Sequence, residues 1–108
     1  MRIEHAGDTL RIFAVKELDA ATATSFQDAV KEALSSSIRQ IEVDLSSTLF
    51  VDSCGLGALV ALRKLVGGRP GAFRLLNPPP SVQQMLELTR LYRLVEVVRR
   101  EQITATPR

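Results

Sequence analysis

The chain has 108 residues, 45% hydrophobic and 24% charged, with a net charge of +2 and a single cysteine, Cys54. That is one soluble globular domain with an ordinary core, and an internal disulfide is excluded. Four Phe, one Tyr and no Trp count against a base-stacking nucleic-acid surface, and no apolar run approaches the roughly 18 residues of a membrane span.

Arg2 to His5 and Thr9 to Val15 read as two strands joined by a turn at Ala6-Gly7-Asp8. Leu10, Ile12 and Ala14 alternate with Arg11 and Phe13, the pattern of a half-buried strand. Asp19 or Thr22 caps a helix running to about Leu34, with Phe26, Ala29, Val30, Ala33 and Leu34 on its apolar face. Ser35-Ser36-Ser37 breaks it, and Ile38 to Leu45 is the next strand. A loop over Ser46 to Asp52 leads into a helix that begins near Ser53 and stops at Gly67-Gly68-Arg69-Pro70-Gly71. Ala72 to Leu76 is a strand, and Asn77-Pro78-Pro79-Pro80 is a rigid turn with Pro80 or Ser81 opening a third helix. Its apolar face is Val82, Met85, Leu86 and either Leu88 or Thr89. Leu94 to Val98 is a last strand. Residues 1–100 form the domain, and 101–108 are a tail expected to fray. Strands alternating with helices predict an α/β fold, a mixed, mostly parallel sheet with helices packed on it.

The charge is uneven. Residues 1–62 hold five bases and nine acids, and residues 63–108 hold nine bases and three acids. The C-terminal bases are scattered, which predicts a solvated mixed surface and not a nucleic-acid or membrane patch. The start, Met1-Arg2-Ile3-Glu4-His5, lacks the apolar core of a signal peptide, so the cytoplasm is the expected compartment.

The most informative stretch is Phe50-Val51-Asp52-Ser53-Cys54-Gly55-Leu56-Gly57, which lies between a strand and a helix. Free backbone N–H groups and the helix dipole favour negative charge at such a start. Ser53 can be a plain helix cap, or a group that carries a phosphate in one state and not in another. Asp52 can equally be the cap, with Ser53 in the first turn. Cys54 invites a nucleophilic or redox reading, but the one histidine, His5, lies on the first strand and no base is at hand. A small buried cysteine is the simpler expectation. His5 has no carboxylate–histidine cluster with which to build a metal site. Gly55-x-Gly57 is too short for a nucleotide loop, and Arg63-Lys64 reads as a solvated helix face. No cofactor is expected.

The segment from Asp52 to Gly57 resembles the signature of STAS domains, more narrowly that of bacterial anti-sigma-factor antagonists. Glu17-Leu18-Asp19 before an Ala/Thr-rich helix start is similar to the family's first block. Asp44-Leu45 and Phe50-Val51 also fit, as do Asn77-Pro78 and Leu88-Thr89-Arg90-Leu91. Together they span residues 9 to 98. Three residues depart from the pattern. Lys16 stands where glycine usually precedes Glu-Leu-Asp, Cys54 where Ser or Thr is common, and Arg90 where glycine is frequent.

The resemblance implies a single STAS-type domain that is not an enzyme. It implies that Ser53 is phosphorylated by an anti-sigma factor with serine kinase activity, and reset by a phosphatase. The unphosphorylated form would bind that anti-sigma factor and free a sigma factor. Asp19, Asp52, Cys54, Gly55 and Gly57 would form the partner-binding face, with Gly55, Gly57 and Ala58 leaving room for close approach. Two competing readings are a STAS subunit of a stressosome or transporter assembly, and an enzyme with Ser53 or Cys54 as nucleophile.

Overall fold

The computed structural model describes residues 1–99, so the tail expected over residues 101–108 lies outside the described residues. Strand β1 (Arg2–Ala6) pairs antiparallel with β2 (Thr9–Phe13). Gly7, at φ 64°, makes the turn. β2 ends before the alternation does, because Ala14 has φ 57° and leaves the extended region. Then follow β3 (Glu17–Leu18), α1 (Ala23–Ala33), β4 (Gln40–Asp44), β5 (Phe50–Val51) and α2 (Ser53–Ala61). α2 continues as a 3-10 helix over Leu62–Val66 and stops at Gly67, φ 81°. β6 (Phe73–Leu76), α3 (Pro80–Thr89), a 3-10 turn over Leu91–Arg93 and β7 (Glu96–Val98) complete the described chain.

The main sheet runs β1-β2-β4-β6-β7, and every pair except β1–β2 is parallel. This is the expected mixed, mostly parallel sheet. α1, α2 and α3 each fill one of the crossovers that parallel neighbours require. β3 and β5 were not evident from sequence. They form a separate two-stranded parallel sheet with Glu17 opposite Phe50 and Leu18 opposite Val51.

Leu10 and Ile12, Ile41 and Val43, and Phe73 and Leu75 project from alternate positions of β2, β4 and β6 into one core cluster. Phe26 and Val30 of α1, Leu56 and Leu59 of α2, and Val82 and Leu86 of α3 meet them there. Leu88, a candidate for that face, is 78% exposed. Two residues past Leu86 is about 200° around a helix, which turns it to solvent. Thr89 instead donates its hydroxyl to the Met85 carbonyl at 2.7 Å.

The intervening residues carry charge. Glu4, Arg11, Glu42, Arg74 and Glu96 stand in register, one per strand, across all five strands. Arg11 bonds Glu42 at 3.2 Å, Arg74 bonds Glu42 at 3.4 Å, and Arg74 bonds Glu96 at 3.0 Å. Glu42, only 9% exposed, is thereby paired on both sides, as a buried carboxylate must be. Of the C-terminal bases, Arg63, Arg74 and Arg99 are half-buried, while Lys64, Arg69, Arg90 and Arg93 are exposed. Arg69 donates to the Arg39 carbonyl, Arg99 to Pro78 and Gln83, and half-buried Arg63 to Gly68, so Arg63 is not the purely solvated group expected.

Candidate functional site

The site is built where the small sheet hands the chain to two helices. β3 and β5 run parallel and in register, so the residues that follow them, Asp19 and Asp52, leave the strand ends side by side. Asp52 donates its backbone N–H to the Leu18 carbonyl at 3.1 Å. One oxygen of its carboxylate accepts the Gly55 N–H at 2.9 Å, and the other accepts the Ala20 N–H at 3.2 Å. Asp52 is thus the N-cap of α2 and also holds the turn before α1.

Asp19 serves the other helix. Its Oδ1 accepts N–H groups from Ala21 at 3.0 Å and Thr22 at 3.2 Å, while Thr22 Oγ1 accepts the Asp19 N–H at 3.0 Å. The two residues proposed as the cap of α1 thus bond each other in the turn before the helix, and the Asp19 carboxylate reaches no N–H of the helix itself. Thr22 occupies the cap position, but its hydroxyl caps no helical N–H.

With Asp52 in the capping role, Ser53 stands in the first turn of α2. It is exposed, and its hydroxyl makes no hydrogen bond among the described residues. Cys54 is exposed too, correcting the expectation of a buried cysteine. The apolar side of α2 is taken by Gly55, Leu56, Ala58 and Leu59, which leaves Ser53, Cys54 and Gly57 on its outer face. The two glycines differ. A Cβ on Gly55 would lie 1.9 Å from the Leu18 carbonyl oxygen, so the room expected there is filled by β3 itself. A Cβ on Gly57 would meet nothing within 4 Å. Ala58 is buried as well.

His5 does not reach this place. Its Nε2 lies 2.9 Å from the carbonyl of Ala33, the last residue of α1. The Asp52–Ala20 contact lies beyond the opposite end of that helix, about 16 Å away for 11 residues at 1.5 Å each. Neither Ser53 nor Cys54 has a histidine base beside it. Among the described residues no group of three or more His, Cys, Asp or Glu could hold a metal ion, and no helix is long and apolar enough to cross a membrane.

Two features of this site carry no signal in the residue pattern. Thr48 is buried and donates its hydroxyl to the Val15 carbonyl, and Leu49 N–H bonds the Lys16 carbonyl at 2.8 Å. These bonds pin the loop before β5. On that pinned loop Leu49 is 81% exposed and Phe50 52% exposed. Both residues lie in the stretch read as a loop from Ser46 to Asp52, and local spacing does not tell whether an apolar residue of a loop is covered.

The STAS domain family model matches residues 1–103. A Thermotoga maritima protein, named provisionally as an anti-sigma factor antagonist, is 32% identical over 91 residues, 83% of this chain and 80% of that protein. A crystal structure of a T. maritima protein described in the same terms superposes with a TM-score of 0.81 at 26% identity, covering 99% of this chain and 94% of that one. The anti-sigma F factor antagonist of Paenibacillus polymyxa is 24% identical over 98 residues, 90% of this chain and 84% of that protein. The anti-sigma factor antagonist SpoIIAA in its unphosphorylated form shares the fold, with a TM-score of 0.69 at 19% identity over 90% of this chain and 86% of that one.

Proposed function

The chain belongs to the STAS domain family, and on that premise we propose that it is an anti-sigma-factor antagonist switched by phosphorylation of Ser53. The observation that carries this reading is the division of labour between neighbours. Asp52 caps α2, so the Ser53 hydroxyl is exposed and has no structural bond to lose. Were Ser53 the cap, modifying it would cost the helix its start.

The partner is an anti-sigma factor with serine kinase activity, which binds the ATP. Ser53 Oγ attacks the γ-phosphorus, the bond to ADP breaks, and the hydroxyl proton passes to a base on the kinase. A phosphatase returns the hydroxyl by hydrolysis. The phosphate brings about −1.5 to −2 charges and three acceptor oxygens, next to the carboxylate of Asp52 and on the face shared with Asp19. Bulk and charge at the contact surface are enough to block docking, and the core need not move. The dipole of α2 tolerates the new charge. Asp19, Asp52, Cys54, Gly55 and Gly57 form or shape the docking face, with Gly55 acting through the close seating of α2 on β3.

Intact mass after incubation with ATP and the purified anti-sigma factor kinase of the same organism tests the switch. Wild type should gain one phosphate and Ser53→Ala none. Ser53→Asp should bind that kinase at least about tenfold more weakly than wild type, about 1.4 kcal/mol. Equal phosphorylation of Ser53→Ala would remove Ser53 from the assignment.

A further inference from the structure

We infer that Leu49 and Phe50 form an apolar anchor that inserts into a cation-rimmed apolar pocket of the anti-sigma factor, beside the Ser53 hydroxyl. The inference rests on the function proposed above and adds to it what grips the partner. Leu49, at 81% exposure, is the most exposed large hydrophobic residue of the described chain, and Phe50 follows it directly at 52%. Isolated exposed apolar side chains are ordinary on a protein surface, but an adjacent pair held out on a fixed loop is not.

This loop is fixed at three points. Thr48 bonds Val15, Leu49 bonds Lys16, and Phe50 sits in register with Glu17 in the β3–β5 pair. Such an anchor loses little backbone freedom on docking, which favours concentrating binding energy in a few residues. Ser53 lies three residues further along, within about 10 Å of chain.

The surroundings decide the occupant. Exposed Glu17 stands opposite Phe50 in the β3–β5 pair, half-buried Asp19 follows one residue beyond Leu18, and half-buried Asp52 follows Phe50 and Val51. Glu17 has no side-chain partner among the described residues. Three carboxylates against the one cation of exposed Lys16 leave the surroundings of the pair net acidic, which disfavours anionic lipid and nucleic acid. They suit an apolar pocket edged by Lys or Arg. A phosphate on Ser53 adds bulk and a hydration shell at the edge of that seat, which keeps Leu49 and Phe50 from seating fully in its apolar floor.

The test is calorimetric titration of the full chain into the purified anti-sigma factor kinase of the same organism, without ATP. Leu49→Ala with Phe50→Ala should weaken binding at least about tenfold. Leu88→Ala, equally exposed but on α3, should stay within twofold. Leu49→Gln, which removes no buried packing, repeats the loss where the double variant melts early. Titrating chain already phosphorylated on Ser53 should cost the Leu49/Phe50 double variant clearly fewer fold in affinity than it costs wild type, because the seat the phosphate disturbs is already empty.

Binding of the double variant within twofold of wild type overturns the anchor and leaves the proposed function standing. A wild-type chain that binds no anti-sigma factor overturns both. A concentration-dependent dimer in sedimentation that Leu49→Gln abolishes overturns the anchor in favour of a second copy of this chain.

Discussion

Along β4, Ile41 and Val43 are fully buried under the helices, while Glu42 between them turns to the other face of the sheet and is held by Arg11 and Arg74. The covered face contributes stability through apolar area, about 25 cal/mol per Å² removed from water. The open face carries alternating charges, one per strand, whose pairing depends on strand order and register. A strand slipped by one residue would turn its charged side chain into the core and its core residue to solvent. One face thus supplies the driving force, and the other penalises wrong arrangements. The candidate site belongs to neither face, since it hangs on the small β3–β5 sheet and on the first turn of α2.

The largest effect should come from the covered face. Leu75→Ala is expected to lower unfolding stability by about 3 kcal/mol, because a fully buried leucine leaves a cavity. Urea unfolding measures it, and a loss under 1 kcal/mol would mean that the core there is loosely packed.

Gly55→Ala links the core to the site. Its Cβ must push β3 away from α2, at about 2 kcal/mol. Amide exchange at Asp52, bonded to the Leu18 carbonyl, should accelerate in this variant. Unchanged exchange there would contradict the contact.

On the open face, Arg11→Gln with Arg74→Gln leaves Glu42 without a cation and should cost about 2 kcal/mol, more than the two single changes added. Each single variant keeps one partner for Glu42. Strict additivity in a double-mutant cycle would show that the row works as separate surface pairs.

The smallest effect is a gain. Arg90 closes α3 at φ 61°, a conformation that glycine adopts without strain, so Arg90→Gly should stabilise by about 0.5 to 1 kcal/mol. Thermal unfolding would detect this as a modest rise in Tm.

The same position accounts for one departure from the family pattern. Glycine suits residue 90 because the C-cap is left-handed, and arginine occupies it under strain. Lys16 differs, since its backbone is not left-handed and nothing there demands glycine. The positive φ of that connection falls on Ala14 instead. Backbone angles of this kind leave no trace in hydrophobic spacing, which reports which side of an element is covered and not how it ends.

The sequence by itself determined the order of the long elements and the class of sheet, because periods of 2 and 3.6 are written in the positions of residues such as Ile12, Val43, Phe26 and Val30. It also marked Asp52 to Gly57 as the candidate functional segment. Only the tertiary structure decided which of Asp52 and Ser53 caps α2, that Cys54 faces outward, and that Gly55 is buried while Gly57 is open. These outcomes depend on where β3 passes in space. Its Leu18 carbonyl presses on Gly55, and the turn after it offers the Ala20 N–H to Asp52, contacts between residues more than 30 positions apart that no local pattern encodes.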